Sequence, residues 1–218
     1  LIELETEPLP VVTRHAESEA PAAALFEGAA DNIAMTVQGV LGDAQAAFAR
    51  AHYVRTERFK VQRHSAVPME TRGLMAEPGK DRARVTVHGA AKVPHKNRET
   101  LAAMFGLSLA QMHCYEGHTG GGFGIRGELY PEDFLVLEAA RRFMCPVKWI
   151  EDRREHLIAT NHSRQQHHKA RLALDADGRM LGLDVTLYHD QGAYIRTHGA
   201  RVLNRTLISI PGPYRIGA

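Results

Sequence analysis

The feature that most constrains this sequence is a glycine-rich octet, residues 120–127, which reads GGGFGIRG. Five of its eight residues are glycine, the residue that loses most conformational freedom on folding. Segment 110–116 before it is typical of a strand, and segment 131–142 after it is typical of a helix with Pro131 in its first turn. Peptide N–H groups between a strand and a helix can bind an anion. The octet therefore predicts either an anion-binding loop or a tight turn without a ligand.

Two side chains inside the octet favour a ligand. Phe123 puts a large apolar ring in a turn, where it needs a surface on which to pack. Arg126 puts a guanidinium beside the peptide N–H groups, which favours a phosphate partner. The octet has neither the spacing of a dinucleotide fingerprint nor the Gly-Lys-Ser/Thr end of a P-loop, and no nucleophile stands at its apex. We interpret it as an amide platform without its own nucleophile.

Charge and cysteine content narrow the class of protein. The 27 basic and 25 acidic residues nearly balance, which argues against nucleic-acid binding or a membrane-surface role. No apolar run is long enough to span a bilayer. The two cysteines, Cys114 and Cys145, cannot form a disulfide framework, which fits a reducing compartment. The sequence therefore predicts a soluble, cytoplasmic protein of mixed α/β structure.

Strand and helix patterns alternate irregularly along the chain. This order favours an α+β fold with mixed sheets and packed helices over a doubly wound fold. A turn at residues 175–178 predicts a hairpin between its two flanking strands. Strand patterns occupy residues 1–10, 54–62, 69–77, 82–89, 110–116, 146–150, 166–174 and 180–189. Helical patterns occupy residues 44–50, 96–106, 131–142 and 151–157, and a short one lies over residues 22–26 within segment 18–27. Residues 195–210 are expected to be helical or irregular.

Other residue types that could carry chemistry have simpler interpretations. His162, His167 and His168 lack the spacing of metal ligands, so surface or interface positions are favoured for them. Glu132 and Asp133 stand in the first turn of a predicted helix, where acids are the ordinary electrostatic arrangement. No metal site is predicted.

Five motifs in order resemble one enzyme family. They are QR…METR at residues 62–72, PHKNRETL at 94–101, GGGFGIR at 120–126, PVKWIEDR at 146–153 and GAY at 192–194. Together they resemble the molybdenum-cofactor-binding large subunit of the xanthine dehydrogenase, aldehyde oxidase and aerobic carbon monoxide dehydrogenase family. The nearest branch is that of the bacterial carbon-monoxide-dehydrogenase-like large subunits.

The resemblance implies a set of cofactor-binding residues. In the family the glycine-phenylalanine loop lies against the pterin–molybdenum centre, and a basic residue commonly follows it. Many relatives also carry a glutamine that reaches the metal's oxo group, where this chain has Lys92. The implied cofactor-binding residues are Gly121, Gly122, Phe123, Gly124, Arg126 and Lys92.

The family's chemistry is the oxidation of a small substrate (an aldehyde, an N-heterocycle or carbon monoxide) with water as oxygen donor. The implied cofactor is molybdopterin cytosine dinucleotide with molybdenum. FAD and [2Fe-2S] clusters are expected on iron–sulfur and FAD partner subunits or domains, in a complex that forms a homo-oligomer.

The resemblance also predicts how the chain divides. Residues 1–12 are expected to be the last strand of a hammerhead-like domain, and residues 13–218 the N-terminal part of an incomplete cofactor-binding domain. The family's active-site loop and catalytic glutamate are expected beyond Ala218, so no catalytic residue is predicted here and the fragment alone is expected to be inactive. Two alternatives stay open: a cofactor-free assembly piece, or a simple phosphate- or nucleotide-binding domain.

Overall fold

The structure is a computed structural model that describes residues 3, 5–80, 83–89, 93–163, 165–196 and 199–217. The chain forms two compact units, one of residues 1–63 with 164–218 and the other of residues 64–163. The strands are β1 (Tyr53–Val61), β2 (His64–Ser65), β3 (Gly73–Pro78), β4 (Val85–His88), β5 (Met112–Tyr115), β6 (Val147–Ile150), β7 (His162–Ser163), β8 (Gln166–Leu174) and β9 (Met180–His189). The helices are α1 (Ala44–Ala49), α2 (Pro94–Met104), α3 (Pro131–Phe143), α4 (Arg153–Ala159) and α5 (Gly199–Ser209), and two 3-10 turns lie at His15–Glu17 and Ile125–Gly127.

The first unit is built on an antiparallel sheet in the order β1-β8-β9. Strand β1 pairs with β8 along its whole length, from Tyr53 opposite Leu174 to Val61 opposite Gln166. The predicted hairpin between β8 and β9 is confirmed, and Gly178 takes the positive φ of 79° that its turn requires. Helix α1 begins at Ala44, where a helical pattern is predicted, and the Asp43 carboxylate caps it by accepting a hydrogen bond from the Ala46 N–H at 2.9 Å.

Two elements predicted for the first unit are wrong. The helix predicted over residues 18–27 is replaced by bends, because the Asn32 side chain binds Leu25 N–H at 2.9 Å and the Ala23 carbonyl at 3.0 Å. These groups would otherwise have taken part in helical hydrogen bonds. The strand predicted over residues 1–10 is absent from the described residues of that range, two of which, Pro8 and Pro10, have no N–H to offer a neighbouring strand.

The second unit is built on a four-stranded mixed sheet in the order β5-β4-β3-β6. Strands β4 and β5 are parallel, whereas β3 is antiparallel to both β4 and β6. Helices α2 and α3 pack on the sheet through an apolar core. The buried members of this core are Leu74, Ala76, Val85, Val87, Leu101, Ala102, Met112, Val136, Leu137 and Ala140. The predicted α+β fold with mixed sheets is thus confirmed.

Helix α3 sets the direction in which the chain leaves the glycine octet. Pro131 occupies the start of the helix, where a missing N–H costs nothing. The Asp133 carboxylate accepts a hydrogen bond from the Tyr130 N–H at 2.7 Å, which closes a capping box. Asp133 is one of the two acids predicted in the first turn of this helix. Its carboxylate stabilises the start of the helix.

A buried ionic cluster ties the start of β3 to the end of β6. We call it the Arg72 cluster: Arg72, Glu151 and His156, whose residues are 7%, 1% and 0% exposed. The Arg72 guanidinium binds one oxygen of the Glu151 carboxylate through two nitrogens, and His156 Nδ1 lies 2.8 Å from the other oxygen. His156 Nε2 lies 2.8 Å from the carbonyl oxygen of Ala66. Both ring nitrogens of His156 therefore lie within hydrogen-bond distance of an oxygen.

The Arg72 cluster keeps Glu151 ionised. Burial by itself would raise the pKa of the Glu151 carboxyl, but hydrogen bonds from Arg72 and His156 outweigh it and hold that pKa below its ordinary value of 4.5. The Arg72 guanidinium also lies 3.8 Å from the centre of the Tyr130 ring and 5.4 Å from that of Trp149. The cluster therefore joins charge pairing to aromatic packing in one buried contact.

No helix in the described part of the chain combines the length and apolar character needed to cross a membrane.

Replacement of Glu151 by Gln is expected to destabilise the protein by about 3–5 kcal/mol at pH 7, because it leaves the buried Arg72 charge without its main partner. The folded-state pKa of Glu151 is depressed. Its contribution is therefore present above the ordinary value of 4.5 and is lost as the pH falls through the folded pKa. The loss of stability on acidification should thus be shallower in the variant than in the wild type.

Urea denaturation of the 218-residue chain, followed by fluorescence of its one tryptophan, Trp149, measures both effects. The matched control is Glu138→Gln, which makes the same change at an exposed position of α3. If Glu151→Gln and Glu138→Gln unfold at the same urea concentration at pH 7, the Arg72 cluster does not stabilise the unit.

Candidate functional site

The glycine octet lies in the second unit, between β5 and α3. Its last three residues, Ile125–Gly127, form a 3-10 turn, and the Ile125 side chain is 2% exposed. The middle of the octet is open instead: Gly121 and Gly122 are half-buried, and Phe123 and Gly124 are exposed. The buried turn therefore fixes one end of a segment whose other residues lie at the surface.

The backbone of the octet takes conformations that few residues adopt. Gly121 has a φ of 100°, Phe123 of 50° and Gly124 of 107°. For phenylalanine a positive φ is an outlier, of a kind that costs about 1–3 kcal/mol. The Phe123 side chain is also 79% exposed, and its ring approaches the position that a Cβ on Gly121 would occupy. Packing among the residues that the structure describes explains neither the strain nor the exposure of this apolar ring.

The octet makes few hydrogen bonds of its own. Ile125 N–H donates to the carbonyl of Gly122 at 3.1 Å, and Gly127 N–H donates to that of Gly124 at 3.2 Å. Among the residues that the structure describes, no acceptor binds the N–H groups of segment 121–124. Four consecutive donors on an exposed loop are thus open to a ligand.

The sequence places Arg126 among the cofactor-binding residues as a phosphate partner, but its guanidinium is turned toward the chain. The residue is 7% exposed, and its Nη2 donates to Glu70 Oε2 at 2.8 Å and to the Thr71 carbonyl at 2.9 Å. Its Nε is buried and has no hydrogen-bond partner within the described ranges. What the loop presents at the surface is therefore a row of neutral N–H groups rather than a free guanidinium.

Glu70 is the site residue that the sequence patterns did not single out. Its Oε2 accepts from Gly120 N–H at 2.7 Å as well as from Arg126 Nη2. A Cβ on Gly120 would lie 2.6 Å from the Cβ of Glu70, so only glycine permits this approach. The one signal available in the sequence is that Glu70 belongs to the METR motif, but nothing there indicates a contact across 50 residues.

Other candidate residues contact neighbouring groups of the same unit. Glu132 Oε2 lies 3.4 Å from Arg72 Nη1, and His162 Nε2 lies 3.2 Å from the carbonyl oxygen of Leu157. Lys92 lies outside the described residues. Within the described part of the chain, no group of three or more His, Cys, Asp and Glu side chains is arranged to hold a metal ion.

The chain matches a known protein family over most of its length. Residues 25–218 match the molybdopterin cofactor-binding domain. The chain is 37% identical over 218 residues to the 6-hydroxypseudooxynicotine dehydrogenase complex subunit gamma of Paenarthrobacter nicotinovorans, covering 100% of this chain and 27% of that protein. It is 29% identical over 208 residues to the carbon monoxide dehydrogenase large chain of Afipia carboxidovorans, covering 89% of this chain and 26% of that one.

Solved structures give the same result. The crystal structure of quinoline 2-oxidoreductase from Pseudomonas putida 86 superposes with a TM-score of 0.91 at 30% identity, over 99% of this chain and 28% of that one. A Cu,Mo-CO dehydrogenase superposes with a TM-score of 0.79 at 27% identity, over 98% of this chain and 29% of that one.

The sequence motifs, the α+β fold and the match over residues 25–218 agree with one another. The resemblance inferred from the five motifs is thus confirmed, and the chain belongs to the molybdopterin cofactor-binding domain family of the molybdenum hydroxylases.

Proposed function

We propose that the chain is part of the large subunit of a molybdenum hydroxylase and that segment 121–124 faces its molybdopterin cofactor. The observation that carries the proposal is the row of four N–H groups with no acceptor in the described structure. The positive φ of Phe123 within this row has a cost in folding that a ligand would offset. Membership of the cofactor-binding family identifies the class of ligand.

The residues of the loop fit a pterin cofactor. A molybdopterin group offers phosphate and ring acceptors, and successive N–H groups at mixed positive and negative φ form a concave anion site. A Cβ at Gly124 would meet nothing within 4 Å, so the space beside this part of the loop is open. The exposed ring of Phe123 offers a flat apolar surface on which a planar ring system can stack.

The part of this chain in the reaction is binding and positioning. When bound, the cofactor supplies oxidation–reduction and oxygen-transfer chemistry. Segment 121–124 donates hydrogen bonds that orient the cofactor, and Phe123 excludes water from one side of it. Arg126 acts by holding the loop, and we propose that Lys92 also lies at the cofactor. We assign no catalytic residue to residues 1–218.

Finer features of the parent protein are proposed from the family. We propose the cytosine dinucleotide form of the cofactor, FAD and [2Fe-2S] partner subunits or domains, a homo-oligomeric complex and a cytoplasmic location. We also propose that residues 13–218 belong to the cofactor-binding domain, whereas residues 1–12 belong to the domain before it. The chain spans only 27% and 26% of two curated relatives, so these features concern a longer protein.

For the substrate we propose a small N-heterocyclic compound. Support comes from the names of two relatives, a nicotine 6-hydroxylase large subunit at 33% identity and a quinoline 2-oxidoreductase at 30%. A carbon monoxide dehydrogenase large chain also matches at 30%, so carbon monoxide is the competing substrate. Dye-coupled turnover of the parent complex with nicotine and quinoline, compared with an aldehyde and carbon monoxide, distinguishes the classes. Turnover of only the aldehyde or carbon monoxide would reject the N-heterocycle.

The parent complex, expressed in a host that makes molybdopterin, is expected to copurify with about one molybdenum and one pterin per large subunit, because the loop binds them as one cofactor. Metal analysis and the fluorescence of the oxidised pterin measure the two contents. Expression in a host strain unable to make molybdopterin is the control. A folded complex that contains neither molybdenum nor pterin when made in the competent host would contradict the proposal.

Replacement of Phe123 by Ala in the parent complex is expected to speed the loss of pterin on dilution by about 10- to 100-fold. The reason is that a buried aromatic contact contributes about 1.5–3 kcal/mol, and 1.4 kcal/mol is a factor of ten. Alanine retains a Cβ, so the backbone demand at this position is unchanged.

The control for this substitution is Phe143→Ala, which removes a ring of similar exposure, 70% against 79%, from α3 of the same unit. It is expected to retain pterin as the wild type does. Equal pterin retention by Phe123→Ala and the wild type would show that the ring does not contact the cofactor.

A further inference from the structure

We infer that Glu70 is a positioning residue: it clamps both ends of the glycine octet and so fixes the N–H groups of segment 121–124 in the arrangement that the cofactor needs. This inference rests on the proposed function and adds a residue to it. Glu70 itself makes no contact with the segment that is open to the ligand, so it acts through the residues on either side.

The clamp has two side-chain contacts on one atom. Glu70 Oε2 accepts a hydrogen bond from Gly120 N–H at 2.7 Å, at the first residue of the octet. The same oxygen accepts from Arg126 Nη2 at 2.8 Å, at the seventh residue. One carboxylate therefore fixes the separation between two points six residues apart, with segment 121–124 between them.

The backbone of Glu70 strengthens both ends. Its N–H donates to the Gly120 carbonyl at 3.3 Å, and its carbonyl accepts from Arg126 Nη2 at 3.3 Å. The octet supplies only two hydrogen bonds between its own backbone groups in the described structure, from Ile125 to Gly122 and from Gly127 to Gly124. Its first residue, Gly120, takes part in neither and is held by Glu70.

Glu70 can act as a clamp because its own segment is fixed. The Thr71 hydroxyl donates to the Glu151 carbonyl at 2.6 Å, and Arg153 Nη2 donates to the Met69 carbonyl at 3.1 Å. The next residue, Arg72, belongs to the buried Arg72 cluster. Residues 69–72 are thus attached to Glu151 and Arg153, at the start of α4, through hydrogen bonds that do not involve the octet.

The pair is partly shielded from water. The Arg126 side chain is 7% exposed and the Glu70 side chain 49% exposed. A hydrogen bond to a charged group with one buried partner contributes more than a fully exposed pair. The Glu70–Arg126 contact is therefore expected to be stronger than an ion pair that is fully exposed to water.

The first test measures the clamp without the cofactor. The parent complex is made in a host that lacks molybdopterin, and hydrogen exchange is followed at the N–H groups of Gly120, Ile125 and Gly127, the hydrogen-bonded positions of the octet. In Glu70→Ala, exchange at these positions is expected to be at least about tenfold faster than in the wild type, because their tether is lost. Glu138→Gln and Glu138→Ala, at an exposed position of α3, are expected to exchange at the wild-type rate.

The second test measures the cofactor. In complex made with molybdopterin, Glu70→Ala is expected to lose pterin on dilution about tenfold faster than the wild type. Glu70→Gln, which keeps an acceptor oxygen, is expected to recover part of that retention. Arg126→Met is expected to lose pterin faster than the wild type, and the double variant Glu70→Ala/Arg126→Met no faster than Glu70→Ala alone, since both changes release one clamp.

Gly120→Ala tests the same contact by changing the octet instead of Glu70, because the added Cβ would collide with the Glu70 side chain. It is expected to reproduce the exchange and pterin loss of Glu70→Ala. Gly117→Ala is the matched control, since a Cβ there meets nothing within 4 Å and its φ is not positive.

The outcomes separate the two proposals. Unchanged exchange in Glu70→Ala overturns the clamp and leaves the proposed function standing. Faster exchange with wild-type pterin retention overturns the inference together with the loop's proposed contact with the cofactor. Pterin losses that multiply in the double variant also overturn it, because Glu70 and Arg126 would then act separately.

Discussion

The second unit depends on the buried ion pair between Arg72 and Glu151. Arg72 and Glu151 are 7% and 1% exposed, and each is the other's main charged partner. His156 Nδ1 lies 2.8 Å from the second carboxylate oxygen of Glu151. The pair joins the start of β3 to the end of β6. Residues 69–72, which lead into β3, are thereby held in place by residues at the end of β6 and the start of α4.

A chain of hydrogen bonds connects the buried Arg72 cluster to the exposed part of the glycine octet. The Arg72 cluster holds residues 69–72, Glu70 in that segment binds Gly120 and Arg126, and these two residues enclose the open part of the octet. Burial decreases along this path, from the Arg72 cluster through the half-exposed Glu70 to a loop whose N–H groups at four consecutive positions have no acceptor in the described structure. This gradient matches what a binding loop requires, since its free donors have to be held by groups other than the ligand.

The sequence predicts well where local chemistry decides the structure. Asp43 before an alanine-rich segment predicts the start of α1, Pro131 with Asp133 predicts the start of α3, and alternation around Gly178 predicts the hairpin. Prediction fails where a side chain outside the local pattern determines the backbone conformation. Residues 18–27 have helical composition, but the Asn32 side chain takes their backbone groups.

For the candidate site, the glycine octet and the family were predictable, whereas the support of the octet was not. Glycine content predicts a strained loop, and five motifs in order predict the family. The contact of Glu70 with Gly120 joins residues 50 positions apart and leaves no periodic signal in the sequence. The orientation of the Arg126 side chain could not be predicted from the sequence either, because nothing in the sequence distinguishes a side chain that faces solvent from one that binds Glu70.

The pairing of Arg126 with Glu70 has a consequence for how the loop meets an anionic partner. With its one cation neutralised, the octet presents dipoles rather than net charge. The field of a dipole decays faster with distance than that of a charge, so an anion bound by the loop, as proposed, would be recognised at short range and attracted little from a distance. Ionic strength, which screens attraction at a distance of about 10 Å at 0.1 M salt, should therefore leave recognition by these N–H groups nearly unaffected.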